Sequence, residues 1–187
     1  MYSLPCVIFA GGKSSRMKKD KSLLPFGKYD SLAKFQYERL KKLFSKVYIS
    51  TKENKFGFEA DFIFDESKIF APTIAFEKIF KKFNEFFAIS VDTPFVDEEI
   101  ISKLIETFNK NKNYDAIVAK TTYIHPLVGI YRKSILANIT KEIENKNFKL
   151  SYILKSSNTL YVHFEDESKF FNINYPDDYK KALEKNF

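Results

Sequence analysis

Short apolar runs alternate along the chain with longer segments in which apolar residues recur every three or four positions. The short runs predict buried strands, and the longer segments predict amphipathic helices. The predicted strands are Leu4–Ala10, Lys46–Thr51, Asp61–Phe64, Glu85–Val91, Asp115–Ala119, Leu127–Tyr131 and Leu160–Phe164. The predicted helices are Leu32–Leu43, Ile74–Phe83, a helix capped by Asp97, Ser134–Ile143 and Pro176–Lys185.

Strands separated by helices favour an α/β fold with a mainly parallel, doubly wound sheet and helices on both faces. A chain of 187 residues is long enough for one domain with a full core and too short for two of ordinary size. The sequence contains no repeat, low-complexity linker or shift in composition. We therefore expect a single domain over residues 1–187.

Polar side chains stand where several predicted strands end. Parallel α/β sheets bind ligands at the carboxyl ends of their strands, which places Ser50, Asp65 and Asp92 on one edge. A carboxylate at the end of a buried strand is costly unless it is paired or binds a cation, and Mg²⁺ prefers such oxygen ligands. The alternatives are that Asp92 caps an Asp-Thr-Pro turn and that Asp65 caps the following segment.

A glycine-rich, basic segment follows the first predicted strand. Residues 9–24 have the sequence FAGGKSSRMKKDKSLL. Adjacent glycines at Gly11 and Gly12 let backbone N–H groups approach an anion without a Cβ in the way. The cationic side chains able to neutralise phosphate are those of Lys13, Arg16, Lys18, Lys19 and Lys21. The segment thus suits a triphosphate, the alternative being a plain turn with a solvated basic face, and it lacks both the Walker and the Gly-x-Gly-x-x-Gly spacing.

The net charge of +7 favours anionic partners, but the basic residues outside this segment are dispersed, which argues against nucleic-acid binding. The single cysteine, Cys6, excludes a disulfide framework and is expected to be a small core residue. No apolar run approaches the length of a membrane span. We expect a soluble cytoplasmic protein with no membrane partner.

Two further groups of polar residues lie late in the chain. Asn172 and Asn174 are two residues apart and share one side of an extended stretch, so their amides could bind one polar ligand. The alternative is that they form a turn and cap before the last helix. His125 precedes Pro126 and could contact a ligand or be an ordinary surface histidine.

Together these motifs resemble the nucleotidyltransferase superfamily of sugar-phosphate pyrophosphorylases, whose loop follows the pattern LAGGxSxRMGxDKxLL. Within it the chain is most similar to the molybdenum cofactor guanylyltransferase family. The features that carry this similarity are the Asp20-Lys21 pair, the Asp92-Thr-Pro94 strand end and the Asn172-Ile-Asn174-x-Pro176 segment. His125-Pro126 fits the same family.

The resemblance implies a single-domain, Rossmann-like nucleotidyltransferase fold and a Mg²⁺-dependent transfer of GMP from GTP to molybdopterin. It implies nucleotide contacts from Phe9, Ala10, Gly11, Gly12, Lys21, Ser50, Asp65 and Asp92. It also implies pterin contacts from His125, Asn172 and Asn174, and Mg²⁺ at Asp92. Lys21 and Arg16 would offset charge on the departing pyrophosphate. Protein partners would be those that insert molybdenum or receive the product.

The residues leave the nucleotide base open. A cytidylyltransferase of the same cofactor, a sugar-phosphate nucleotidyltransferase and a non-catalytic nucleotide-binding module are the alternatives. The chain also departs from the family pattern at three places. Lys18 replaces a glycine, which predicts a stiffer and more basic loop, Ser50 stands where asparagine is common, and residues 71–75 lack the glycines usual at both ends of that segment.

Overall fold

A computed structural model of the chain describes residues 1–12 and 14–185, so Lys13 of the basic segment lies outside the described residues. Within them, one sheet has the strand order β3-β2-β1-β4-β6-β5-β7. The strands are β1 (Cys6–Phe9), β2 (Val47–Thr51), β3 (Asp61–Phe64), β4 (Glu85–Ser90), β5 (Ala116–Lys120), β6 (Ile124–Arg132) and β7 (Thr159–His163).

Helices cover both faces of this sheet. They are α1 (Leu32–Leu40), α2 (Pro72–Lys82), α3 (Glu98–Lys110), α4 (Leu136–Glu144), α5 (Leu150–Ser156) and α6 (Pro176–Glu184). Buried residues of α1, α3 and α6 form one core cluster with the sheet, and those of α2, α4 and α5 form the other. The predicted α/β architecture with helices on both faces is therefore confirmed.

The first strand shows why these apolar runs become central strands. Cys6 and Ile8 belong to one core cluster, while Val7 and Phe9 belong to the other. Successive side chains of a strand point to opposite faces, so a strand covered on both sides must be apolar at every position. Burial also raises the pKa of the Cys6 thiol, which fits a core residue and not a nucleophile.

The sheet is parallel except at β6. Parallel pairing joins β3, β2, β1 and β4 in that order, and it also joins β5 to β7. β6 runs antiparallel to both β4 and β5. The cause is the short connection at Thr121–Tyr123, which closes a hairpin and leaves no room for a crossover helix. Because β1, β2, β3 and β4 are parallel, their carboxyl ends lie at the same edge of the sheet.

The bounds of several elements differ from the predicted ones: α1 ends at Leu40 and not at Leu43, and three further differences concern the second half of the chain. β6 begins at Ile124 and not at Leu127, because Ile124 pairs with Lys120 across the hairpin. The helix expected over Ser134–Ile143 starts as a single 3₁₀ turn, Lys133–Ile135, before α4. The short helix α5 was not predicted, although its buried Leu150, Ile153 and Leu154 have helical spacing.

Two predicted helix starts are confirmed. The Asp97 side chain accepts a hydrogen bond from Ile100 N at 3.1 Å and caps α3. Pro176 occupies the first turn of α6, where its missing N–H costs nothing. Among the described residues, no helix is long and apolar enough to cross a membrane.

Candidate active site

Two adjoining cavities open at the carboxyl edge of the sheet. The first, of about 140 Å³, lies over the ends of β1, β2 and β4, and the second, of about 540 Å³, lies beside it toward β6 and α5. Their common wall is formed by Phe70, Ala71, Pro72, Ser90, Asp92 and Leu127. Asp92 is the one carboxylate among these shared residues, so it lines both cavities.

The first cavity brings together every residue for which the sequence predicts a nucleotide contact. These are Phe9, Ala10, Gly11, Gly12, Lys21, Ser50, Asp65 and Asp92. They come from the ends of four parallel strands and the loop after β1, as the strand-end rule requires. Their grouping is observed, while their contact with a nucleotide stays a prediction.

The glycine-rich loop packs closely on the end of β2. Ala10 N donates to Ser50 O at 2.9 Å, and a Cβ at Gly11 would lie 3.7 Å from Thr51 Cα. Gly12 is exposed, and a Cβ added there would meet no atom within 4 Å. Further along the loop, Lys18 adopts a left-handed conformation with φ of 56°. Glycine takes that conformation without strain, which is a physical reason for the glycine of the superfamily pattern.

Lys21 lies on a single 3₁₀ turn, Lys21–Leu23, that Asp20 caps. Asp20 Oδ1 accepts hydrogen bonds from Ser22 N at 3.0 Å and from Ser22 Oγ at 2.6 Å. Lys21 Nζ forms an ion pair with Asp92 Oδ2 and lies 3.3 Å from Ile173 O and 3.4 Å from Asn174 Oδ1. One ammonium thus connects the loop, the end of β4 and the segment before α6.

Asp92 follows β4 and its side chain is 13% exposed. Its carbonyl oxygen accepts a hydrogen bond from Ile173 N at 3.0 Å, which fixes the turn in place. Mg²⁺ in nucleotide enzymes is typically held by one or two carboxylates together with substrate phosphates and water. The described residues contain no cluster of three or more acidic, histidine or cysteine side chains. A single carboxylate, that of Asp92, is shared by the two cavities, and a Mg²⁺ contact there stays a prediction.

Asp65 has two structural partners. Its Oδ1 accepts a hydrogen bond from Ser67 N at 2.9 Å, which is the turn-capping role weighed from the sequence. Its Oδ2 pairs with Lys52 Nζ at 2.5 Å. Asp65 is buried yet lines the first cavity, so capping and ligand contact are compatible.

Lys52 and Lys55 were missed by the sequence interpretation. Lys52 lines the first cavity, and Lys55 lines a smaller recess beside Gly11 and Gly12 and pairs with Asp20. Lys52 comes directly after β2. The strand-end rule that selected Asp92 would have selected Lys52 as well, had it been applied to basic residues.

The second cavity contains two of the three residues predicted to contact a pterin, His125 and Asn172. Asn174 lies outside its lining and contacts Lys21 instead. The His125 ring stacks on Phe170 with centroids 4.3 Å apart, and its Nε2 lies 2.9 Å from Thr121 Oγ1. Burial lowers the pKa of His125, and the charge of Glu167 opposes this only in part. The lowered pKa favours the neutral form of the imidazole.

Arg16 is not brought into either cavity. Its side chain is exposed, and the guanidinium lies 5.5 Å from the centroid of the Tyr175 ring. Tyr175 belongs to the same segment as Asn174, before α6. Arg16 thus lines neither cavity, unlike Lys21 and Asp92, with which the sequence grouped it as catalytic.

Mainly parallel α/β sheets with a glycine-rich loop after the first strand commonly bind nucleotides at their carboxyl edge, and this chain has that arrangement. The chain belongs to the MobA-like NTP transferase domain family, whose model matches residues 6–159. It is thus a member of a nucleotidyltransferase family, and the resemblance drawn from its motifs is confirmed.

Curated relatives match the chain over nearly its whole length. One from Campylobacter jejuni subsp. jejuni serotype O:6 is 39% identical over 186 residues, which cover 97% of this chain and 96% of the relative. One from Helicobacter pylori strain G27 is 35% identical over 191 residues, covering 97% and 92%. Both are named molybdenum cofactor guanylyltransferase.

A solved structure supports the fold. Molybdopterin-guanine dinucleotide biosynthesis protein A from Archaeoglobus fulgidus superimposes with a TM-score of 0.83 at 24% identity, covering 97% of both chains. At that identity the likeness shows a shared architecture, in agreement with the sheet and helices described above.

Proposed function

We propose that this protein transfers GMP from GTP to molybdopterin, forming the guanine dinucleotide form of the cofactor and releasing pyrophosphate. The observation that carries the proposal is the position of Asp92 on the wall between two adjoining cavities. One cavity has the glycine-rich loop and the other has His125 and Asn172. The name that the curated relatives share supports guanylyl transfer to this acceptor.

The two cavities suit two substrates that react at their common wall. GTP would lie in the first cavity, its phosphates against the N–H groups of the loop at Gly11 and Gly12, and the pterin in the second. A phosphate oxygen of the pterin then forms a bond to the α-phosphorus of GTP. The bond from that phosphorus to its bridging oxygen breaks, and the electron pair leaves with pyrophosphate. The protein contributes alignment and charge stabilisation, and no residue becomes covalently modified.

Lys21 carries most of this charge stabilisation. Its ammonium is paired with Asp92, which lines both cavities, and it could exchange this carboxylate for a phosphate oxygen of the substrate. Arg16 can add a second positive charge after its guanidinium leaves the Tyr175 ring. Mg²⁺ held by Asp92 would polarise the α-phosphate when bound.

A thermal-shift panel of GTP, CTP, UTP and ATP, each with and without Mg²⁺, tests the nucleotide side of this proposal. We expect an upward shift of the unfolding temperature with GTP that grows with Mg²⁺. Release of pyrophosphate from GTP on adding molybdopterin then tests the transfer itself. A preference for CTP would make the protein a cytidylyltransferase, and binding without pyrophosphate release would make it a non-catalytic module.

A further inference from the structure

Lys52 has an unusual number of partners for a lysine beside a substrate cavity. Its ammonium lies 2.5 Å from Asp65 Oδ2, 2.6 Å from Ser67 O and 2.8 Å from Ile69 O. It also lies 5.2 Å from the centroid of the Phe70 ring. An ammonium has three N–H donors, and here three oxygen acceptors are within reach.

All of these partners belong to one stretch of chain, residues 65–71, which we call the wall segment. It connects β3 to α2 and contains neither helix nor strand. Its first residue is tied to the sheet through Asp65 N, which donates to Thr51 O at 3.0 Å. Beyond Asp65, Lys52 joins the segment to the end of β2 by two hydrogen bonds to carbonyl groups.

The wall segment matters because both cavities use it. Phe70 and Ala71, together with the following Pro72, line the first and the second cavity. A displacement of this segment would change the shape of both cavities at once. The ammonium of Lys52 is already engaged with Asp65 and two backbone carbonyls, so it acts through these groups and not as a donor to substrate.

A lysine suits this position better than an arginine. Three acceptors converge on one point, which a compact ammonium can satisfy and a planar guanidinium cannot meet with the same geometry. The Lys52 side chain is 21% exposed and that of Asp65 only 8%, so water screens their attraction weakly.

We propose that Lys52 is a positioning residue that holds the wall segment in its binding conformation and thereby sets the affinity for the nucleotide. The part that concerns affinity rests on the proposed function, while the anchoring itself does not. If the segment is in its binding conformation for only a fraction of the time, the apparent affinity for the nucleotide is the intrinsic affinity multiplied by that fraction.

The test compares Lys52→Met, which keeps most of the unbranched side chain and removes the ammonium, with Lys46→Met. Lys46 is an exposed lysine just before the same strand, at its opposite end. In nucleotide-free protein we expect faster amide hydrogen exchange over residues 66–70 in Lys52→Met only, with β1 and β4 unchanged. We also expect its dissociation constant for GTP to rise at least tenfold, and the turnover number at saturating substrates to change less than threefold.

The outcomes separate the anchoring from the proposed function. Wild-type protein that fails to bind GTP would contradict the proposed function, and the exchange measurement would still test the anchor. Unchanged exchange over residues 66–70 together with unchanged GTP affinity would overturn the role of Lys52. If both Lys52→Met and the uncharged Lys52→Gln are unfolded, the proposed role is also overturned. Lys52 would then be needed for the stability of the whole fold and not specifically for the wall segment. A folded Lys52→Gln with fast local exchange would support the anchor.

Discussion

Lys21 Nζ forms an ion pair with Asp92 Oδ2 where the two cavities meet, joining the glycine-rich loop to the end of β4. The side chains are only 14% and 13% exposed, so solvent and salt screen their attraction less than on an open surface. Under the proposed function, the ammonium would bind a phosphate and the carboxylate would bind a cation. Two predictions follow from the two sides of this pair.

Lys21→Ala should lower the turnover number at least tenfold, equivalent to about 1.4 kcal/mol in the activation barrier. The reason is that the variant removes the ammonium that lies at the wall, where negative charge grows on the departing pyrophosphate. The measurement is steady-state pyrophosphate release at saturating GTP and acceptor. Lys28→Ala is the control, because the Lys28 ammonium lies over the Tyr29 ring and lines neither cavity. Equal turnover in Lys21→Ala and wild type would remove Lys21 from the reaction.

Asp92→Ala should abolish the Mg²⁺-dependent activity and leave the fold intact. The carbonyl of residue 92 still accepts the hydrogen bond from Ile173 N, and Thr93 Oγ1 still donates to Ser90 O at 2.9 Å, so the turn keeps its backbone contacts. Circular dichroism checks the fold, and titration of activity with Mg²⁺ and with a chelator checks the metal dependence. An Asp92→Ala protein that unfolds would show that Asp92 is a capping residue, the alternative weighed from the sequence.

The sequence predicted which residues lie at the carboxyl edge of the sheet, but it did not predict the contact between Lys21 and Asp92. The short apolar runs located all seven described strands, and the parallel order then placed Ser50, Asp65 and Asp92 at one edge. The contact between Lys21 and Asp92 joins a 3₁₀ turn to the end of β4, and that between Lys52 and Asp65 joins the ends of β2 and β3. Such contacts depend on strand order and on side-chain length, neither of which a linear pattern contains.

Two elements show the physical limits of the prediction. α5 has only seven residues, too few for a periodic signal to stand out, and packing of Leu150, Ile153 and Leu154 on the sheet stabilises it. The antiparallel direction of β6 follows from the brevity of the Thr121–Tyr123 turn. The sequence predicted that β6 starts at Leu127, whereas it starts at Ile124. With the later start the connection looks longer, and the hairpin is not recognised.

Gly129→Ala should lower the free energy of unfolding by about 1–3 kcal/mol. Gly129 lies in β6 between β4 and β5, and a Cβ there would stand 2.6 Å from Ile117 O and 3.0 Å from Val118 Cα. Both atoms are backbone, so relief requires distortion of the ladder. Urea unfolding followed by circular dichroism gives the measurement.

Gly57→Ala is the matched control for that experiment, because an added Cβ at Gly57 meets no atom within 4 Å. We expect it to unfold at the wild-type urea concentration. If Gly129→Ala does the same, β5 and β6 can separate locally without cost, which the tight pairing at Val118 argues against.

The free energy of unfolding should fall as the pH is lowered from 7.5 to 5.5, and His125 should cause part of that fall. Burial lowers the pKa of His125 in the folded protein from its ordinary value of 6.5, against the smaller opposing effect of Glu167. The unfolded chain therefore binds a proton at a higher pH than the folded protein does. Around and below the ordinary pKa of 6.5 the unfolded state holds more protons, so stability decreases with falling pH, and this contribution of His125 fades as the pH rises well above that value.

Urea unfolding of wild type and His125→Gln at pH 7.5, 6.5 and 5.5 measures this effect. The variant removes the titrating ring and keeps an amide that can still bond to Thr121 Oγ1, the present partner of His125 Nε2 at 2.9 Å. We expect the two proteins to lose stability at different rates below pH 6.5, with the smaller loss in His125→Gln. Parallel losses in the two proteins would mean that His125 accepts its proton as readily when folded as when unfolded. The stacking on Phe170 and the burial beside the second cavity would then not disfavour the imidazolium.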